Sequence, residues 1–279
     1  DRCVELGVGI IDTAHSYAAG ASQQMIGHWL AADPVRRGQV AIVDKVGIVD
    51  RAGDLVLDLS PDSVLAQAAQ GRRRLGVETV DVVMAHGKDP VTAPRDTLRA
   101  FADLLECGQA SCWGVSNVSH GDLTVWLEGA DRIGMPDPFF VENQYSLLAR
   151  GDEADVLPLC RERGIAYLAF SPLAGGVLSG KYRPGQPPPP GSRQALRPEF
   201  AGGLNDQTHT AIAILGDRAG AAGVSAAALA LAWVLAQPGI RPIVGVSRPA
   251  HLDALEAAIK LDLSPAKAAA LFEGLGLSE

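Results

Sequence analysis

Cysteine, aromatic side chains and basic charge are all scarce in this chain, and two of these shortages narrow the possible functions. Four cysteines, Cys3, Cys107, Cys112 and Cys160, are scattered over 279 residues. None forms a C-x-x-C pair or has histidines at zinc spacing, so neither a disulfide scaffold nor a zinc site is expected. The expected compartment is reducing, the cytoplasm. Lys and Arg number 24 against 32 Asp and Glu, for a net charge of −8. No basic patch dominates, which argues against nucleic acid as the main partner. The longest small-apolar run, residues 226–236, is too short to span a bilayer, and no charged-then-apolar leader opens the chain, so no membrane partner is expected. No G-x-G-x-x-G lies between a first strand and a helix, and there is no P-loop. Hydrophobic residues are abundant instead, at 47%, enough for a sizeable core.

Those apolar residues arrive in short runs bounded by turn signals, the mark of buried strands. Seven are expected: 8–12, 39–46, 80–85, 111–115, 139–142, 165–170 and 240–246. Helical patterns separate them. One starts at Ser22 as N-cap, one at Ser60-Pro61 and runs to Leu75 before Gly76, and one begins at Ser119. Others cover 95–107, 153–163, 205–222, 225–236 and 249–259, and a last starts at Ser264-Pro265. Strict alternation implies parallel strands with crossover helices. An eight-stranded (β/α)8 TIM barrel, one α/β domain over residues 1–279, fits better than an open doubly wound sheet. Its first strand is then expected to lie before Asp1, since Cys3 to Gly7 reads as the end of a helix closed by glycine. The proline-rich residues 183–193 cannot be helical. They are either a stiff spacer or a lid over the ligand face.

The strands end on polar residues: Asp12, Lys45, His86, Ser116-Asn117, Gln144, Ser171 and Ser247-Arg248. Each has an ordinary reading. Asp12 can cap a turn, Tyr17 can be a surface phenol, Lys45 a solvated flank and His86 a satisfied core residue. A barrel, however, gathers its strand ends at one mouth. There an acid, a lysine, a histidine and Tyr17 make a proton-handling set rather than a metal site. A tyrosine hydroxyl has an ordinary pKa of about 10, and a neighbouring ammonium lowers it. A phenol donating to an oxygen that gains negative charge suits carbonyl reduction, with hydride from a cofactor because no side chain donates one. His15, Trp113 and the stretch after Lys88 are candidates for the substrate pocket, although Trp113 lies inside a strand and can equally be core.

Six stretches, in order, resemble motifs of the aldo-keto reductase family. They are Ile11-Asp12-Thr13-Ala14 with Tyr17, Asp44-Lys45-Val46-Gly47 (with Asp44 where threonine is common), Ala85-His86-Gly87-Lys88-Asp89-Pro90, Gly114-Val115-Ser116-Asn117, Asn143-Gln144-Tyr145-Ser146-Leu147, and residues 171–182. The resemblance covers essentially the whole chain. It implies Tyr17 as proton donor, Lys45 tuning it, Asp12 holding Lys45 and His86 orienting a small-molecule carbonyl substrate. It further implies Ser116, Asn117 and Gln144 around a nicotinamide carboxamide, with Phe170 stacking where tyrosine is usual. Ser171, Leu173, Gly175 and Lys181 would line the pyrophosphate, and Ser192-Arg193 would close over the cofactor. Gly245, Ser247 and Arg248 would hold the adenosine end, where a basic residue favours a 2′-phosphate and hence NADPH. His251 and Ala254-Leu255 stand where the family often grips adenine with Gln and Glu-Asn. The alternative expectation is an NADP(H)-binding regulatory or sensor subunit, like the potassium-channel beta subunits of the same fold.

Overall fold

The computed structural model describes residues 1–196, 205–246 and 248–272. They form two compact units: residues 1–142 with 155–166, and residues 143–154 with 167–279 as far as described.

In the first unit a short helix α1 (Arg2–Glu5) precedes β1 (Ile10–Ala14), α2 (Ala21–Ala31) and β2 (Ala41–Val46). A hairpin of β3 (Ile48–Arg51) and β4 (Asp54–Leu57) follows, then α3 (Pro61–Leu75), β5 (Val80–Ala85), α4 (Pro94–Glu106), β6 (Ala110–Ser116) and α5 (His120–Ile133). The unit also contains the start of β7 (Phe140–Gln144) and all of α6 (Val156–Arg163). Its strands lie in the order β1-β2-β5-β6-β7, every neighbour parallel. Such strands are covered on both faces, and Ile42 to Val46 are buried without a break. The parallel register puts Ala14 beside Lys45, Lys45 beside Met84, and Ser116 beside Glu142. Under the helices, Trp113, Phe101 and Trp126 cluster with ring centroids 6.0–6.4 Å apart. Trp113 is fully buried and its Nε1 donates to the Pro136 carbonyl at 2.9 Å. It is therefore core and does not line a substrate pocket.

Several boundaries depart from expectation. β1 runs on through Thr13 and Ala14, because these residues pair with Asp44 and Lys45. Asp12 is consequently inside the strand rather than at its exit. The α2 N-cap is Gly20, while the Ser22 hydroxyl pairs with Thr13 Oγ1 at 2.8 Å. The hairpin is an addition that the polar sequence around Asp50 and Asp54 did not announce. Ser119 forms a full capping box with Asp122, as its place at a helix start implied, and α5 runs to Ile133.

The second unit pairs β8 (Ala166–Phe170) in parallel with β9 (Ile240–Pro242) from Tyr167 onward. β9 is shorter than expected and ends at Pro242, although the Ile243 N–H still donates to the Ala169 carbonyl at 2.8 Å. Helices α7 (Arg193–Leu196), α8 (Asp206–Ala221), α9 (Ala226–Leu235), α10 (Ala250–Leu261) and α11 (Pro265–Phe272) complete it. Asn205 and Ser225 cap α8 and α9 through their side chains. Every residue from Ala228 to Val234 is buried, and Trp233 stacks on Tyr145 at 5.4 Å. Among the described residues no single helix is long and apolar enough to cross a membrane. Only α8 and α9 together meet that test, and they are bent by 91°.

Candidate active site

Lys45 is the centre of the first unit's polar interior. Its Nζ donates to both Asp12 oxygens at 2.5 and 2.6 Å, and to Glu142 Oε1 at 2.8 Å. The three side chains are 1%, 7% and 3% exposed. Tyr17 opens a 3-10 turn, Tyr17–Gly20, in which Ala18 and Ala19 take left-handed φ values of 48° and 52°. That turn sets the Tyr17 ring centroid 5.1 Å from Lys45 Nζ and 5.6 Å from the His86 ring, edge to face. Tyr17 is 38% exposed, so its phenol borders solvent, while His86 is half-buried and Lys45 is buried. The fold thus brings together Asp12, Tyr17, Lys45 and His86, as the strand ends implied.

Burial governs the electrostatics. It pushes the Asp12 carboxyl up, against the pull of Lys45. Burial alone would lower Lys45, but the Asp12 and Glu142 carboxylates hold its ammonium above the ordinary lysine value. His86 is pushed down to about 4 by burial and by the Lys45 charge, so the imidazole is neutral at neutral pH. Tyr17 departs from expectation. Lys45 does lower it, but burial raises it more, and Asp12 and Glu142 add to the rise, so the phenol lies above its ordinary value.

Glu142 was missed in the sequence. Burial and the Asp12 charge, opposed by Lys45, push its carboxyl up to about 7. Its Oε2 is buried with no hydrogen-bond partner. The available signal was an acid closing an apolar strand run, which reads as a boundary residue unless the register is known. A second buried carboxyl, Asp44, accepts from Gln23 Nε2 at 2.7 Å and is pushed by burial to about 7. Gln23 Oε1 accepts in turn from Arg74, whose Nη1 also lies 3.4 Å from His15 Nδ1. Lys88 is paired with Asp122 at 2.6 Å.

Ser116 is buried at the end of β6. Asn117 has a left-handed φ of 57° and turns its Nδ2 to the His86 carbonyl at 2.9 Å and to Ser116 Oγ at 3.0 Å. It therefore props the backbone that carries His86. Among the described residues no group of three His, Cys, Asp or Glu side chains could hold a metal ion.

The second unit, taken by itself, carries the other expected binding residues. Gln144 is exposed at the end of β7, and Phe170 is half-buried. After β8 the backbone turns left-handed at Ser171, Ala174, Gly175 and Gly176, with φ of 52°, 47°, 65° and 95°. Leu173 anchors this turn on Leu231, Ala232 and Ala258. A Cβ on Gly176 would come within 2.9 Å of Lys181 Nζ, and one on Gly175 within 3.6 Å of Arg193 Cδ. A bare-backbone turn flanked by two cations suits an anion such as a diphosphate. Ser192 is buried, and its backbone N–H donates to Pro189 at 3.0 Å, so the proline-rich segment turns back just before Arg193. Gly245 and Arg248 are exposed ahead of α10, and Ser247 lies outside the described residues.

The family model described as "Aldo/keto reductase family" matches residues 1–273. The chain is 31% identical over 255 residues to a probable voltage-gated potassium channel subunit beta of Arabidopsis thaliana, covering 90% of this chain and 77% of that protein. It is 33% identical over 192 residues to an NADH-specific methylglyoxal reductase of Escherichia coli, covering 64% of this chain and 56% of the relative. The structure of a glycerol dehydrogenase from Gluconobacter oxydans superposes with a TM-score of 0.83 at 25% identity, covering 96% of this chain and 81% of that one. The match and the superposition together imply a (β/α)8 barrel.

Proposed function

This chain belongs to the aldo/keto reductase family, and from that premise we propose that it reduces a small aldehyde or ketone to an alcohol with hydride from NADPH, in the cytoplasm. The observation that carries the reading is the gathering of Tyr17, Lys45, Asp12 and His86 within one unit. Tyr17 gives its hydroxyl proton to the substrate oxygen as that oxygen gains negative charge. Lys45 stabilises the phenolate left behind, and Asp12 keeps the ammonium aimed. His86, neutral, donates a hydrogen bond that orients the carbonyl. The bound nicotinamide supplies the hydride, which no side chain can. Ser116, Asn117, Gln144 and Phe170 are assigned to the nicotinamide by sequence resemblance. Ser171, Leu173, Gly175 and Lys181 are assigned to the pyrophosphate, Ser192 and Arg193 to the clamp, and Gly245, Ser247 and Arg248 to the adenosine end. The turn at Gly175 and Gly176 supports the pyrophosphate assignment. NADPH rather than NADH rests on Arg248.

A second reading is favoured by the potassium-channel beta relative: a nicotinamide-binding sensor subunit with little turnover. The two separate in one assay. Purified protein that oxidises NADPH with simple aromatic aldehydes supports the reductase, whereas tight NADPH binding without turnover across a broad carbonyl panel supports the sensor.

A further inference from the structure

Two buried carboxylates on one ammonium leave a net negative charge in the interior. Asp12 and Glu142 both contact Lys45 Nζ, and all three are almost wholly out of solvent. An uncompensated buried charge costs several kcal/mol by the usual desolvation arguments, roughly, and is ordinarily relieved by a proton. Glu142 is the better candidate, since Asp12 takes both short bonds from Lys45 and Glu142 takes one, leaving Oε2 unpartnered.

We infer that Glu142 is a positioning residue for the proposed reduction, holding a proton whose loss makes Tyr17 a weaker acid and slows proton delivery. The inference rests on the reductase reading for its kinetic consequence, but not for the proton itself. With Glu142 protonated, Lys45 is balanced by Asp12 alone and retains its pull on the phenol. With Glu142 ionised, two negative charges oppose that pull, and both raise Tyr17. The carboxyl titrates at about 7, so the change falls within the physiological range. The ionisable groups that act on it in this unit are Asp12 from β1 and Lys45 from β2, and its charge acts in turn on Tyr17 from the turn after β1. On β6 its register partner is Ser116, which does not titrate.

The test compares the whole chain with its Glu142→Gln and Glu142→Asp variants. Reductive kcat/KM with NADPH and an aromatic aldehyde is followed from about pH 6 to about pH 9. In the wild type the rate breaks downward near pH 7. In Glu142→Gln that break is absent, so the variant-to-wild-type ratio rises roughly tenfold across the range, as expected when one ionisation no longer removes the active form. Glu142→Asp keeps a carboxyl and keeps a break. Infrared difference spectra across the same range supply a readout independent of turnover. A protonated-carboxyl band that titrates near neutrality and is lost in Glu142→Gln, but survives Asp44→Asn, supports the inference even if no carbonyl substrate is turned over. In that case the reductase reading fails and the proton assignment stands. An unchanged break in Glu142→Gln, or no protonated-carboxyl band lost with Glu142, overturns it.

Discussion

Asp44 sits in the interior with one oxygen held by Gln23 at 2.7 Å, and burial pushes its carboxyl to about 7. Its folded value therefore lies above its unfolded one. The stability this contributes is fully present below the unfolded value of about 4 and is lost as pH rises through about 7. Unfolding free energy from urea titrations is expected to fall between about pH 4 and about pH 7, by on the order of a few kcal/mol. Asp44→Asn should flatten that slope, leaving the share that belongs to Glu142. An equal slope in both proteins contradicts the account of Asp44. His86 acts in the opposite sense. Its lowered value contributes stability above its unfolded pKa of about 6.5 that is lost as pH falls toward about 4.

Helix α3 lies against β2 so closely that Gly71 has no room for a side chain. A Cβ there would meet Asp44 Oδ2 at 2.1 Å and Gln23 Nε2 at 2.8 Å. Gly71→Ala is expected to destabilise by about 1–3 kcal/mol through overpacking. Gly121 in α5 has nothing within 4 Å of its Cβ position, so Gly121→Ala should stabilise by about 0.4–1 kcal/mol. Thermal denaturation of the two variants checks the contrast, and equal shifts contradict it. Helix ends of this kind were readable in the sequence because their determinants are local. Ser119, Asn205 and Ser225 each use a side chain to bond the helix they begin. The hairpin of β3 and β4 was not readable, since half of its strand residues are solvent-exposed and they show no apolar alternation. Ser22 misled for a tertiary reason: its hydroxyl pairs across to Thr13 on β1.

For the molecule as a whole, the parallel strands and the meeting of Asp12, Tyr17, Lys45 and His86 were legible, because polar residues that interrupt buried runs stand out. Glu142 was not, because only the register beside Ser116 shows that it faces Lys45 rather than water. Cofactor choice is also a property of the whole protein. Arg248 is exposed before α10, and the proposed function assigns it to a 2′-phosphate. Arg248→Ala is expected to weaken NADPH binding about tenfold, the loss of one charge-assisted contact of about 1.5 kcal/mol, with little effect on NADH. Thermal shift at saturating cofactor measures this, since ligand bound to the folded state raises stability by mass action. Equal losses for the two cofactors contradict the assignment.

The central claim is that Tyr17, seated beside Lys45 and His86, delivers the proton. The most direct measurement compares wild type and Tyr17→Phe for NADPH oxidation with an aromatic aldehyde, alongside NADPH binding by fluorescence. The account predicts a rate lower by roughly 10²-fold or more, with cofactor binding retained. Equal rates in the two proteins contradict it.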